Sequence, residues 1–137
     1  MALTPDQLTR KYWGDKGYLP VRVEKWVLYP QPRRSDFLGI FDYLCLGTNE
    51  IIAVQTTTLT NFSARKRKML GSKALGIWFK TGQKSILQVW GKKSGRWYDK
   101  TVEFTMKDWE EYQAEEKAKY AKEDKNSPLY KELFGEE

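Results

Sequence analysis

Two apolar runs joined by a short polar link constrain the fold of this chain more than any other feature. Residues 41–46 and 51–56 are rich in β-branched, aromatic and aliphatic side chains, and Gly47-Thr48-Asn49-Glu50 separates them. A four-residue link between runs of this kind predicts a β-hairpin in which the last residue of the first run faces the first residue of the second. The numbers of paired residues then sum to 97 along the whole hairpin.

This register places polar side chains on an otherwise apolar hairpin. Asp42 lies opposite Gln55, and Thr57 shares their face because side chains alternate along a strand. An Asp at a strand edge can simply hydrogen-bond a turn or a neighbouring arginine, and Gln55 with Thr57 can be an ordinary polar strand face. The apolar flanks and the cross-strand pairing favour a functional site at Asp42.

The remaining elements are expected on both sides of the hairpin. A helix begins at Thr4-Pro5-Asp6, where a hydroxyl cap precedes a proline at the first helical position, and it runs to about Trp13. Residues 73–79 either extend a helix or begin a strand. The other predicted elements are a strand at 18–28, a basic loop at 29–35, a helix at 64–70 capped by 61–63, strands at 86–90 and 97–104 around a turn at 91–96, and a charged helix at 107–125 before a short terminal segment at 126–137.

The order α-β-β-β-α-β-β-α predicts an α/β fold with a mixed sheet flanked by helices. The length of 137 residues suits one core. Residues 1–107 are interpreted as the α/β domain. Residues 108–137 are interpreted as a charged C-terminal helix and tail that docks on the domain or on a partner.

Charge divides the chain at the same point. Residues 1–107 contain 19 basic and eight acidic residues, a net +11, whereas residues 108–137 contain five lysines and ten acids, a net −5. A basic body favours a polyanion as partner, nucleic acid first and a membrane surface second, although many small cytosolic proteins are basic simply for solubility. No run is long enough to span a membrane, and the single Cys45 is typical of a reducing cytoplasm.

The absence of histidine limits the chemistry. The chain has no His, which excludes histidine metal sites, Ser–His and Cys–His nucleophile pairs, and nucleases with a histidine base. It also lacks the glycine-rich phosphate loops and any CxxC pair. Catalysis would therefore depend on carboxylates, amides, hydroxyls, lysine and arginine.

The hairpin resembles the active-site hairpin of the PD-(D/E)xK, or restriction-endonuclease-like, nuclease superfamily. The matching stretches are residues 39–46, with Asp42 at the start of an apolar strand, and residues 52–57, with Gln55-Thr56-Thr57 in place of (D/E)xK. The resemblance covers roughly residues 5–90, and the layout is closest to small archaeal and phage Holliday-junction-resolvase-like proteins. It implies that Asp42 and Gln55 bind Mg²⁺ or Mn²⁺ and that Asp42, Gln55 and Thr57 form the catalytic set.

The resemblance includes departures at three positions. Gln55 is neutral where the family has Glu, Thr57 is uncharged where the family has Lys, and the family's further acid on the first helix has no clear counterpart. Asp6 is on the predicted first helix, whereas Glu24 is on the following strand. Asp36 is expected to swing in as a replacement metal ligand. Three cations of the next helix are expected as replacements for the missing lysine: Arg65, Lys66 and Lys68.

Two basic segments are expected to contact the DNA backbone without reading sequence. The first is the run Arg65, Lys66, Arg67 and Lys68, which could equally be a solvated helix face. The second is the turn with Lys92, Lys93 and Arg96.

The sequence therefore predicts a cytoplasmic protein of a bacterial, archaeal or phage-infected cell that hydrolyses DNA, with branched or junction DNA as a candidate substrate. One alternative is a catalytically inactive DNA-binding or assembly module that retains the fold. A second is a module whose basic face binds an acidic protein. A homodimer is compatible with each of these interpretations.

Overall fold

A computed structural model describes residues 3–123, without the side chains of Arg34 and of residues 120–123. The predicted terminal segment at 126–137 lies outside this part of the chain. The helices are α1 Pro5–Asp15, α2 Phe62–Leu70, α3 Lys73–Lys80 and α4 Met106–Glu123, with a 3₁₀ turn at Leu59–Asn61. The strands are β1 Leu19–Arg22, β2 Lys25–Val27, β3 Arg33–Ser35, β4 Tyr43–Gly47, β5 Glu50–Thr58, β6 Lys84–Lys93 and β7 Arg96–Phe104.

Five of these strands form one mixed sheet in the order β1-β4-β5-β6-β7, and β2 pairs with β3 in a separate two-stranded sheet. Strands β5 and β6 are parallel, while the other neighbours are antiparallel. The predicted α/β class with a mixed sheet is confirmed. The predicted order joined β1 and β2 into one strand, treated β3 as a loop and left α3 open, because strands of three or four residues leave no periodic pattern in the sequence.

The hairpin formed by β4 and β5 keeps the predicted register. Tyr43 pairs with Val54 and Gly47 pairs with Glu50, so paired numbers sum to 97 from one end of β4 to the other. The turn is tighter than the predicted four-residue link, because two of the link residues join the strands. Asn49 takes a positive φ of 64° there, a conformation that Asn tolerates better than most residues.

Two helix starts were predicted from capping residues, and one is correct. Thr4 accepts a hydrogen bond from the backbone N–H of Gln7, whose side chain accepts one from Thr4 in return. Asn61 makes no side-chain capping bond to α2. Residues 73–79, which sequence alone left open, are helical, and the hydroxyl of Ser72 caps α3 by accepting from the N–H of Ala74.

The sheet separates two apolar clusters. One face packs against α1 through a cluster that includes Trp13, Tyr43 and Val54. The other face packs against α2, α3 and α4 through a cluster that includes Leu75 and Leu87. Parallel pairing of β5 with β6 requires the α2–α3 crossover, so the C-terminal ends of both strands lie at the same edge of the sheet.

Helix α4 is fixed to α2 and to the start of α3 by two partly buried hydrogen bonds. The indole N–H of Trp109 donates to the carbonyl of Ser72 at 2.8 Å, and Gln113 Nε2 donates to the carbonyl of Leu70 at 2.7 Å. A Cβ at Gly76 would lie 2.6 Å from the Trp109 ring, so only glycine permits this close approach. Among the described residues, no helix is both long enough and apolar enough to cross a membrane.

Candidate functional site

Three carboxylates converge where β5 nears its C-terminal end. Glu24 lies in the link between β1 and β2, Asp36 follows β3, and Asp42 precedes β4. One oxygen from each carboxylate lies within 4.8 Å of the others. Backbone bonds hold Asp42 between its neighbours, since its N–H donates to the carbonyl of Val54 and its carbonyl accepts from Val23, both at 2.9 Å.

Asp42 is half-buried and accepts hydrogen bonds from β5. Its Oδ2 accepts hydrogen bonds from the backbone N–H of Thr56 at 2.9 Å and from Gln55 Nε2 at 3.1 Å. The pKa of Asp42 is raised to about 6, chiefly by burial and also by the charges of Asp36 and Glu24, whereas the N–H of Thr56 and the charge of Arg65 oppose the rise. A cation at this point would favour the ionised form.

Gln55 is the amide expected opposite Asp42, and the structure brings the two together. Its side chain is only 3% exposed. Its Nε2 donates to Asp42 and to the carbonyl of Thr56, while its Oε1 is buried without a hydrogen-bond partner among the described residues. A buried acceptor without a donor is uncommon and costs free energy, so its presence beside three carboxylates needs an explanation.

Thr57, in contrast, does not enter the site. Its side chain is 6% exposed, and its hydroxyl donates to the carbonyl of Thr58 at 3.4 Å. It does not line the cleft around Asp42, where Thr56 is found instead. Strand β5 extends beyond the residue that pairs with the start of β4. Thr57, two positions after Gln55, therefore lies past the three carboxylates.

Glu24 is the site residue that the sequence did not identify as a ligand. Arg22 connects it to the first helix, because Arg22 Nη2 donates to Glu24 Oε2 at 2.8 Å and Arg22 Nη1 donates to Asp6 Oδ2 at 3.1 Å. Asp6 also accepts from the hydroxyl of Tyr43 at 2.6 Å. The pairing of β1 with β4 brings Glu24 beside Asp42, and no local pattern could reveal that pairing.

The four cations of α2 do not form one surface. Arg65 lines the cleft with the carboxylates, and Lys68 Nζ lies 4.0 Å from Asp36 Oδ2. Lys66 instead lines a groove against α4. Burial raises the pKa of Tyr112 in α4, and the charge of Arg67 lies close enough to oppose that rise. Positions three apart share a helix face and adjacent positions do not, so the expectation that Lys66 could replace the missing lysine is wrong.

The resulting acid cleft encloses about 270 Å³ and is open to solvent. It is lined by Asp6, Arg22, Glu24, Asp36, Asp42, Gln55, Thr56 and Arg65. Hard oxygen donors backed by cations can hold a divalent metal and a phosphate next to each other.

The second predicted basic segment is the turn between β6 and β7. Lys92, Lys93 and Arg96 are exposed there, and Lys92 Nζ lies 5.2 Å from the centre of the Trp97 ring. Gln55 pairs with Leu87 in the parallel ladder, so Lys93 is about 20 Å beyond the acid cleft at the same edge of the sheet. The turn therefore does not contact the cleft, but it faces the same side of the molecule.

No protein-family model, curated protein or solved structure shows a significant match to this chain.

Proposed function

We propose that this protein is a metal-dependent DNA nuclease with a restriction-endonuclease-like arrangement of its active residues. The observation that carries the proposal is the convergence of Glu24, Asp36 and Asp42 on one point, with the unpartnered oxygen of Gln55 beside them. The order of helix, antiparallel strands, crossover helices and parallel strand supports the same proposal, since it places Asp42, directly before β4, beside Gln55 on β5.

The residues present fit Mg²⁺ or Mn²⁺. The proposed ligands are Asp42, Asp36, Glu24 and the Oε1 of Gln55, which are all hard oxygen donors of the type these ions prefer. Binding would give Gln55 Oε1 the partner that it lacks, and it would relieve the repulsion among three carboxylates held within 4.8 Å. A bound ion in such a site supplies charge stabilisation at the scissile phosphate.

In this proposal, the cations of the cleft replace the lysine of the PD-(D/E)xK superfamily and hold the phosphate. Arg65 and Lys68 lie three residues apart on α2 and face the carboxylates. Arginine remains protonated at all relevant pH values, so Arg65 orients and neutralises the phosphate but cannot remove a proton. Arg22 keeps Glu24 in place through its 2.8 Å hydrogen bond. Removal of the proton from the attacking water falls to a carboxylate of the cleft.

The proposed substrate is DNA bound through its backbone. Lys92, Lys93 and Arg96 lie on the same side of the molecule as the cleft and would extend the contact along the phosphates. Such contacts are insensitive to sequence and weaken steeply with salt.

A nuclease assay with plain, flapped, gapped and four-way DNA tests this proposal. The wild type is expected to cleave at least one of these substrates with Mg²⁺ or Mn²⁺ and to be inactive in EDTA. Direct titration with Mn²⁺, followed by electron paramagnetic resonance, reports metal binding independently of cleavage. Absence of both cleavage and Mn²⁺ binding would remove the enzyme proposal.

A catalytically inactive DNA-binding module is the second candidate. The observations that favour it are the neutral Gln55 at the site and the burial of Thr57, which leaves no cation on β5 at the family's lysine position. This candidate predicts salt-sensitive DNA binding that is unaffected by Mg²⁺, together with no cleavage of any substrate.

A further inference from the structure

A basic arm with exposed aromatic side chains stands at the rim of the acid cleft. We define the aromatic arm as residues 25–35, which comprise β2, its connecting segment and β3. Trp26 is 60% exposed and Tyr29 is 84% exposed, and Leu28 between them is also exposed. Large aromatic side chains that are exposed together usually mark a binding surface.

The charge of the arm indicates what that surface binds. Residues 25–35 contain Lys25, Arg33 and Arg34 and no acid. The guanidinium of Arg33 lies within 3.5 Å of the backbone carbonyls of Tyr29 and Gln31, so a cation is held against the backbone of the segment that carries the exposed aromatic rings. Aromatic faces interspersed with fixed cations match an unpaired nucleotide strand, whose bases stack on the rings while its phosphates contact the cations.

The position of the arm connects it to the acid cleft. The arm begins directly after Glu24 and ends directly before Asp36, so two of the three converging carboxylates form its base. A second pocket of about 230 Å³ is lined by Arg22, Glu24, Lys25 and Trp26. Arg22 and Glu24 line the acid cleft as well. A base in this second pocket would thus lie next to the site proposed for the phosphate.

We infer that the aromatic arm binds single-stranded DNA, with an unpaired base stacked on Trp26. If the protein is the proposed nuclease, on which this consequence rests, the arm selects DNA that has unpaired nucleotides next to the scissile bond. Bases of an intact duplex are already stacked on each other and cannot offer a free face to Trp26. Plain duplex therefore engages the cations of the arm but not its rings.

A second copy of this chain is a poorer occupant of the arm. A symmetric contact between two arms would bring the basic residues of one copy, which include Lys25 and Arg33, against those of the other. Like charges brought together in this way oppose association. The charge of the arm therefore favours DNA over self-association.

The test compares single-stranded and duplex binding in EDTA, so that cleavage does not enter. Fluorescence anisotropy is measured with a labelled strand of about 20 nucleotides, longer than a usual binding site, and with its blunt duplex. Trp26→Ala is expected to weaken single-strand binding by about 5- to 100-fold, the effect of losing one base stack, while duplex binding changes by less than about twofold. The slope of log affinity against log salt stays the same because no phosphate contact is lost.

Matched variants distinguish the effect of lost stacking from that of a lost charge and from that of removing any exposed apolar side chain. Trp26→Phe should keep most of the single-strand affinity, and Tyr29→Ala should reproduce part of the Trp26→Ala loss. Lys25→Ala should instead reduce the single-strand salt slope by about 0.7. Ile77→Ala is the control, since Ile77 is 64% exposed on α3 and is not part of the arm or the cleft. It should leave both affinities unchanged.

Several outcomes would overturn the inference. They are an unchanged single-strand affinity in Trp26→Ala, an equal loss on both DNA forms, or conversion of a dimer to a monomer by Trp26→Ala in analytical ultracentrifugation. Single-strand binding with the expected Trp26 effect, but no Mn²⁺ bound at Asp42, would end the nuclease proposal and leave the arm assignment intact. Cleavage that depends on Asp42, combined with no effect of Trp26→Ala, would end the arm assignment and leave the nuclease proposal intact.

Discussion

Two concavities in the described part of the chain are each lined by four acids, and one of the two has the features of a site. The acid cleft encloses about 270 Å³, whereas the groove between α2, β7 and α4 encloses about 350 Å³. Four acids line this larger α4 groove: Glu103, Asp108, Glu111 and Glu115. Three of them are exposed, and the fourth, Asp108, accepts a hydrogen bond from the N–H of Thr105 at the start of α4.

The difference between the two lies in convergence. The acids of the α4 groove come from one strand and one helix, and they do not form a cluster of converging carboxylates among the described residues. Three of the four acids of the cleft come from separate segments and meet within 4.8 Å, beside Gln55, whose amide oxygen has no hydrogen-bond partner among the described residues. A fold meets the cost of like charges at close range only when something offsets it. Neither the size of a cavity nor its number of acids predicts this arrangement.

The largest expected effect is that of Asp42→Ala on cleavage. Loss of this carboxylate removes a proposed metal ligand and the acceptor for Gln55 and Thr56, so cleavage should fall by about 10²–10³-fold or more. DNA binding should stay the same or become tighter, because a negative charge beside the phosphate is gone. Glu111→Ala, in the α4 groove, is the matched control and should cleave like the wild type. A similar loss in both variants would contradict the distinction between the two concavities.

The two sides of α2 allow a charge-matched comparison. Arg65→Ala with Lys68→Ala removes two cations from the acid cleft, and Lys66→Ala with Arg67→Ala removes two from the side facing α4. The cleft pair should weaken duplex binding by roughly tenfold and lower the salt slope by about 1.8. The α4-side pair should change the slope by less than half as much, as measured by anisotropy over a salt series. Equal slopes would show that α2 binds DNA as one uniform basic surface.

The raised pKa of Asp42 predicts a pH-dependent stability in EDTA. Its folded pKa of about 6 lies above the ordinary value of 3.8, so its contribution favours folding below pH 4 and is lost as the pH rises to 6. Asp42→Asn should therefore be more stable than the wild type by about 1–3 kcal/mol at pH 8 and about equal at pH 4, as measured by urea unfolding. Glu111→Gln should show no such pH-dependent gain. If Asp42→Asn raised the free energy of unfolding as much at pH 4 as at pH 8, the gain would not come from the charge of Asp42.

A smaller effect is expected of Gln55→Glu on metal affinity. A fourth carboxylate replaces a neutral amide, so Mg²⁺ should bind up to about tenfold more tightly, while the metal-free protein becomes less stable because a buried charge has joined three others. Calorimetric titration measures the Mg²⁺ affinity. Thermal unfolding with and without Mg²⁺ measures how far bound Mg²⁺ restores the stability lost in the metal-free variant. Gln55→Asn, which keeps an amide but shortens the side chain, controls for packing. Unchanged metal affinity in Gln55→Glu would place Gln55 outside the ligand set.

Thr57 requires a different test from the one that the family pattern suggests. A lysine at this position would enter a site that is 6% exposed and does not open into the cleft. Thr57→Lys is therefore expected to lower the free energy of unfolding by several kcal/mol rather than restore a catalytic cation. Thr57→Val, which preserves the shape, should leave cleavage within about twofold of the wild type, because residues outside the functional contacts usually change little.

The parts of the site that could be predicted from sequence are those within one hairpin. Asp42 and Gln55 are 13 residues apart, and alternation with a short link was sufficient to place them together. The same local argument failed for Thr57, because it treated the face of a strand as uniform along its length. It also grouped four cations of α2 that helical rotation separates into two pairs.

The parts that could not be predicted depend on pairing between distant segments. Glu24 reaches the site because β1 lies beside β4, and Asp36 reaches it because β3 returns along β2. Neither short strand shows an alternation that identifies its partner. Sequence reasoning placed Asp36 as a ligand only through its nearness to Asp42 along the chain, and it passed over Glu24, whose distance along the chain is greater.

Glu24 and Asp36 lie at the two ends of the aromatic arm. This placement would link the free energy of strand binding by the arm to that of cation binding by the carboxylates. Pairing of Lys25 with Ser35 at the base of the arm fixes the separation of the two carboxylates. Under the two proposals, a strand bound to the arm and a cation bound between the carboxylates would share this base, so each ligand would stabilise the arrangement that binds the other. Reciprocity then requires that the factor by which a bound strand raises cation affinity equals the factor by which the cation raises strand affinity. Two weak ligands can in this way be bound jointly when neither alone is held tightly.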